Sequence, residues 1–193
     1  MQSTKRFAFC LLAFSFVSAI CFGQSLKLQV KAAGIGFLSG YGIDLRNIAY
    51  APMSLSANFS WKLALTSSQP DVRKGVFIQL EPAAGFVPRT NTKEWEYGLT
   101  PFVGFNFWTG AKFIPYLMIG SGPIYMTVKD ISRQSGAWAF ASAGAGGIKF
   151  YLAHKMYLNL QTRYRHISNA GIDNFFALIG LTWVPKGCDC PDF

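Results

Sequence analysis

The sequence predicts an all-β protein, an eight-stranded antiparallel transmembrane β-barrel, and three observations carry that prediction. Apolar and polar residues alternate over stretches of about a dozen residues, as a strand with two unlike faces requires. Aromatic residues make up 16% of the chain and charged residues only 14%, against about 25% charged in an average soluble domain. A soluble surface is hard to assemble from so few charges. After Gly23 no run approaches the roughly 18–20 consecutive apolar residues of a membrane helix, so a membrane location requires strands.

The chain opens with Lys5 and Arg6 ahead of an apolar run over residues 7–20, and small or permissive residues end at Gly23. This pattern predicts a secretory signal peptide over residues 1–23. Cys21 invites a lipoprotein reading, but Ile20 stands where such a signal needs a small residue. Cleavage removes two positive charges and no negative ones, so the mature chain keeps +9 − 2 = +7. Such a charge serves ordinary solubility or draws the chain to anionic phosphates at a lipid surface. The remaining length is that of one domain, placed at residues 24–185, followed by a short tail over 186–193. Cys10 and Cys21 leave with the signal; Cys188 and Cys190 form a Cys-x-Cys pair in the tail, too few thiols for a structural zinc site.

Eight segments follow in order. The first, residues 26–37, alternates weakly. Residues 53–65 alternate most cleanly: Met53, Leu55, Ala57, Phe59, Trp61, Leu63 and Leu65 share one parity, and Ser54, Ser56, Asn58, Ser60 and Lys62 the other. Val76, Ile78, Leu80, Ala84 and Phe86 then oppose Gln79 and Glu81. In the fourth segment Trp95, Tyr97, Leu99, Val103, Phe105 and Phe107 oppose Glu96, Thr100 and Asn106. Residues 112–128 and 138–153 are compatible runs. From Met156 the pattern sharpens again, and residues 174–184 complete the set. Eight is an even count, as bacterial outer-membrane barrels have. Turn chemistry separates the segments at residues 67–74, 88–93, 108–110, 129–136 and 153–155.

Two small closed barrels fit alternating strands: a soluble one with an apolar interior, and an outer-membrane one with an apolar exterior. The apolar parity carries Trp61, Trp95, Tyr97, Phe105, Phe107, Tyr164 and Trp183, several near segment ends, as in interfacial girdles. The polar parity carries Lys62, Glu81, Glu96, Arg163 and Arg165 among Ser, Asn and Gly. That face makes a poor soluble surface and a reasonable hydrogen-bonded plug, so the membrane barrel is favoured. Charges in a narrow lumen need partners, which predicts an ion-pair network of Glu81, Glu96, Arg163 and Arg165. With both termini in the periplasm, the turns at 108–110 and 153–155 are periplasmic and His154 is a solvated turn residue. Arg89, Lys93, Lys129 and Arg133 then fall in extracellular loops, as solvated cations or as contacts for lipid phosphates.

The seventh segment holds the chemistry. Met156, Leu158 and Leu160 share the parity of His166 and Ser168, while Asn159, Gln161, Arg163 and Arg165 take the other. A spacing of two puts an imidazole and a hydroxyl on one face, and that face is the apolar, lipid-facing one. A base beside a nucleophile is one reading; the other is that two interfacial polar residues simply end the strand.

The stretch Arg163-Tyr164-Arg165-His166-Ile167-Ser168-Asn169-Ala170-Gly171 resembles the active-site signature of the bacterial outer-membrane lipid A 3-O-deacylases of the PagL type. The signal peptide, the eight segments and the position of the motif agree with that resemblance along the whole mature chain. It implies a serine esterase acting on lipopolysaccharide in the outer leaflet of a Gram-negative outer membrane. Ser168 is then the nucleophile, His166 the general base, and Asn169 (side-chain amide) and Gly171 (backbone N–H) the oxyanion donors. The family places an acid, usually Glu, beyond a longer loop containing Pro and Asn; here the loop is short and that Glu is absent. The nearby acid is Asp173, on the outward parity of Phe175, Ala177, Ile179 and Leu181. A hairpin over residues 169–172 sets Asp173 across from Ser168 and diagonal to His166, about 7–8 Å away between Cα atoms.

A non-catalytic small barrel, structural or adhesive, is the rival reading. The sequence carries no phosphate-binding glycine loop, metal cluster or nucleic-acid platform, so no cofactor and no nucleic-acid partner is expected.

Overall fold

The computed structural model describes residues 27–46, 50–66, 75–88, 93–108, 112–129, 134–153, 155–168 and 171–186. The predicted signal peptide, His154, Asn169 and the tail with Cys188 and Cys190 lie outside them. So do Arg89 and Arg133 and the side chains of Lys93 and Lys129.

Eight antiparallel strands close into one barrel: β1 (Lys27–Asp44), β2 (Met53–Thr66), β3 (Val76–Pro88), β4 (Lys93–Asn106), β5 (Phe113–Lys129), β6 (Gln134–Ala153), β7 (Met156–Ile167) and β8 (Ile172–Lys186). Each strand pairs with its sequence neighbours, and β1 pairs with β8 to close the wall, so no edge is left unpaired.

The alternation read from the sequence becomes the two faces of this wall. Ser54, Ser56, Asn58, Gln79, Glu81, Glu96, Asn159, Gln161 and Arg163 are buried in the lumen. Ile35, Phe37, Leu55, Val103, Leu117, Ile119 and Ile179 stand exposed on the outside. Aromatic side chains crowd the outer face at both ends. Tyr41, Trp95, Tyr97, Trp138 and Tyr164 lie toward the rim opposite the chain ends, and Phe107, Trp108, Phe113 and Trp183 toward the other. A tilted pair, Tyr125–Trp138 at 5.1 Å, joins β5 to β6, and an edge pair, Phe105–Phe107 at 5.6 Å, packs along the end of β4.

The lumen is plugged, as the charge pairing requires. Arg163 grips Glu81 through both terminal nitrogens, at 2.6 and 2.9 Å, with the two side chains 8% and 1% exposed. Arg165 pairs with Glu96 at 2.5 Å. The Tyr116 hydroxyl donates to Asn159 at 2.8 Å. It accepts from the Gln161 amide nitrogen at 2.8 Å once that amide is turned so that its oxygen faces Arg163. Lys149 lies over the rings of Phe77 and Tyr116, 4.4 and 4.8 Å from their centroids.

The strands outrun the predicted segments. β1 continues to Asp44, seven residues past Phe37, although the added stretch is rich in glycine. Glycine lowers strand propensity, but the backbones of β1 and β8 approach so closely that a Cβ at Gly40 would collide with the Ala177 carbonyl. β6 begins at Gln134, so the loop predicted over 129–136 shrinks to residues 130–133. β8 likewise runs from Ile172 to Lys186, where 174–184 was predicted. In each case pairing with a neighbour, which no local pattern records, extends the ladder.

Candidate active site

β7 delivers His166 and Ser168 to the outer face near the rim opposite the chain ends. Along β7 the outward positions are Leu160, Thr162, Tyr164 and His166, with Ser168 at the start of the turn; Asn159, Gln161 and Arg163 point into the lumen. Tyr164 sits in the aromatic belt, and His166, two residues further on, stands about 7 Å beyond it toward the rim.

The hairpin differs by one residue from the predicted one. Ile167 pairs with Ile172 and His166 with Asp173, so the turn is residues 168–171 rather than 169–172. Asp173 therefore faces His166 directly and is not opposite Ser168. The reason lies at Gly171, whose φ of +59° closes the turn one residue early; that left-handed backbone suits glycine. Directly opposed residues on one face are near enough for their side chains to meet.

They do meet. His166 Nδ1 lies 2.7 Å from Asp173 Oδ1, with the side chains 37% and 18% exposed. Two further donors fix the same carboxylate. The Tyr164 hydroxyl donates to Oδ1 at 2.7 Å, and Arg46 Nε donates to Oδ2 at 3.1 Å. Arg46 comes from the end of β1, where its own N–H donates to Asp44 at 2.9 Å and the Leu45 N–H donates to the Asp173 carbonyl at 2.8 Å. The guanidinium then lies against Gly171, where an added Cβ would stand 2.8 Å from Nη1.

The hydrogen bond from His166 above all, then that from Tyr164, with a smaller contribution from Arg46, lowers the Asp173 pKa to about 2. An ionised carboxylate has no proton to give, so Nδ1 of His166 carries one, and in the neutral imidazole the free lone pair is then on Nε2. That is the tautomer a general base needs.

Ser168 is held from the other side. Its N–H and its hydroxyl both donate to the Phe140 carbonyl of β6, each at 3.0 Å. Among the described residues the hydroxyl makes no bond to His166. The structure thus brings together His166, Ser168, Asp173 and Gly171 at one corner of the rim, while Asn169 lies outside the described residues. Sequence reading left Tyr164 as a girdle aromatic and passed over Arg46. Tyr164 shares the outward parity of His166, which was a usable signal. Arg46 lies 127 residues from Asp173 and only strand pairing brings them together.

A profile of the family described as "Lipid A 3-O-deacylase (PagL)" matches residues 36–174, a span that takes in His166, Ser168 and Asp173. Among solved structures, Neisserial surface protein A superposes with a TM-score of 0.59 at 10% identity, over 81% of this chain and 97% of that one. The N-terminal β-barrel domain of Pseudomonas aeruginosa OprF gives 0.52 at 10% identity, over 78% and 96%. The attachment invasion locus protein Ail of Yersinia pestis gives 0.52 at 9%, over 79% and 96%. At such identities the likeness is one of fold. No curated protein sequence matches the chain. The family match, over most of the chain, and the closed, apolar-faced barrel together place the protein: it belongs to the lipid A 3-O-deacylase (PagL) family, in the outer membrane of a Gram-negative bacterium.

Proposed function

We propose that this barrel is a serine esterase that removes the ester-linked 3-O acyl chain of lipid A in the outer leaflet, with Ser168 as nucleophile, His166 as general base and Asp173 as the acid that orients the imidazole. The observation that carries this reading is the direct opposition of His166 and Asp173, joined at 2.7 Å on the lipid-facing side of the rim. It supplies the orienting acid although the usual Glu is missing, and it leaves Nε2 bare beside a serine.

The reaction starts with a rotation of the Ser168 hydroxyl from the Phe140 carbonyl to His166 Nε2. The imidazole takes the hydroxyl proton as the oxygen attacks the ester carbonyl, and returns it to the departing sugar hydroxyl. Water then hydrolyses the acyl-enzyme by the same base. Asp173 stabilises the imidazolium through Nδ1 and stays ionised throughout. The resemblance assigns the Gly171 N–H and the Asn169 amide to the oxyanion, as donors to the negative charge that develops there. The residues that hold Asp173, Tyr164 and Arg46, act through it and are positioning residues.

Purified protein in detergent, given lipid A, is expected to release a 3-hydroxy fatty acid, and Ser168→Ala is expected to abolish that release. Continued release by the Ser168→Ala protein rules out the mechanism, and an inactive parent favours a non-catalytic barrel. The signal peptide over residues 1–23 belongs to the same proposal, since the outer membrane is reached by export.

A further inference from the structure

The inner face of the β7–β8 hairpin carries a second set of contacts at the level of the site. His166 opposes Asp173 on the outer face, and their chain neighbours Arg165 and Asn174 oppose each other on the lumen side. Arg165 is held twice. Its Nη2 donates at 2.5 Å to Oε2 of Glu96, a buried residue of β4 reached across the bore. Its guanidinium also lies 5.0 Å from the ring centroid of Phe176 on β8. Phe176 packs with Leu38 and Leu178 in a buried cluster, so the ring is itself fixed. One side chain thus ties β7 to β8 and to the far wall, at the residue between Tyr164 and His166.

Strand geometry carries that hold outward. Successive side chains leave opposite faces of one backbone, so fixing Arg165 fixes the peptides that bear Tyr164 and His166. Both of those side chains reach Asp173 Oδ1 at 2.7 Å. A contact that short tolerates little displacement, and a slip of one residue would turn His166 into the bore. The ladder gives little restraint of its own here, since Ile167 and Ile172 are the last pair before the turn. The deeper lumen pair is arranged differently: Arg163 grips Glu81 of β3 and lies over the Phe102 ring of β4.

We propose that Arg165 and Glu96 are positioning residues for the reaction, setting His166 against Asp173 from inside the bore; this rests on the esterase reading above.

Replacing a buried ion pair as a whole costs little stability, whereas removing one partner costs much, and that contrast separates position from stability. Glu96→Leu with Arg165→Met keeps the barrel stable and removes the hold. Glu96→Gln keeps an oxygen that accepts from Arg165 but leaves its charge unpaired. Activity is therefore expected to run against stability. The double variant melts near the parent and loses about 10- to 100-fold in kcat with KM unchanged, while Glu96→Gln melts lower and keeps most of its kcat. Glu81→Leu with Arg163→Met, the same change one layer deeper, keeps the parental kcat. Deacylation of lipid A in detergent and melting of the same preparations give these values.

A second readout does not depend on turnover. The chain has two histidines, so 15N-histidine labelling in detergent micelles isolates the hydrogen-bonded Nδ1–H of His166, assigned by its loss in Asp173→Asn. That signal is expected to move in the Glu96, Arg165 double variant and to stay in the Glu81, Arg163 one. Phe176→Leu, which removes the ring and no charge, moves it too and decides the matter where the double variant does not fold. Activity that follows stability, or a parental signal once the hold is removed, overturns the proposal and leaves the esterase standing. An inactive parent removes the esterase reading, and the signal alone then decides whether the pair sets His166.

Discussion

Asp173 faces His166 across the last hairpin with 2.7 Å between Oδ1 and Nδ1, and the same oxygen accepts the Tyr164 hydroxyl at 2.7 Å. An aspartate is one methylene shorter than the glutamate usual in the family. On the proposed reading, direct opposition across a four-residue turn makes up that length.

Asp173→Asn keeps the size of the side chain and removes its charge. The amide can donate to Nδ1 and so favours the wrong imidazole tautomer; deacylation is expected to fall by about 10²- to 10⁴-fold with little change in KM. Release of fatty acid from lipid A by purified variants measures it, and an unchanged rate reduces the machinery to Ser168 and His166 alone.

Tyr164→Phe and Arg46→Ala each remove one donor to the carboxylate while the other and His166 remain. Each is expected to lower kcat by about tenfold or less. Because they share one acceptor, the double variant is expected to lose more than the product of the single losses. A kinetic double-mutant cycle reads the coupling.

The depressed pKa of Asp173 has a definite sign. Its folded value of about 2 lies below the ordinary 3.8, so the network adds stability that is fully present above about pH 4 and is lost as pH falls through 2. Parent and Asp173→Asn are therefore expected to differ by a constant amount in thermal midpoint above pH 4. The gap closes toward pH 2. Melting curves in detergent across that range measure it.

Removing one partner of the lumen pair leaves a buried charge alone. Glu81→Gln is expected to destabilise the barrel by about 3–5 kcal/mol, whereas Glu81→Leu combined with Arg163→Met is expected to cost far less. Urea titration of barrels folded into lipid vesicles compares them.

Gly171→Ala tests the turn. The left-handed backbone costs a non-glycine residue about 1–2 kcal/mol, and the new Cβ displaces Arg46 from 2.8 Å. Lower activity with a modest loss of stability is expected, and kinetics and melting of one preparation report both.

The wall was legible because alternation is a local property. Every second residue of residues 53–60 reports its face, and so do Glu81, Arg163 and His166. Strand ends were less legible, because Leu38 to Asp44 stay in β1 through pairing with β2 and β8 and not through their own propensity. The shared outward face of His166 and Ser168 could be read from their spacing, but the register of Asp173 could not. One residue of turn length moves it from Ser168 to His166, and the choice depends on the backbone at Gly171. Arg46 shows the limit plainly, since no pattern near either residue links it to Asp173.

The plugged lumen decides where molecules travel. Among the described residues Arg163, Glu81, Tyr116 and Gln161 fill the bore, so on the proposed function the substrate arrives sideways within one leaflet. Water for the second half of the proposed cycle meets Ser168 at the rim, where the side chain is exposed. On the proposed function the barrel stands as a post in a two-dimensional fluid, and stiffening the surrounding leaflet is expected to slow turnover, as measured in vesicles of gel-phase against fluid-phase lipid.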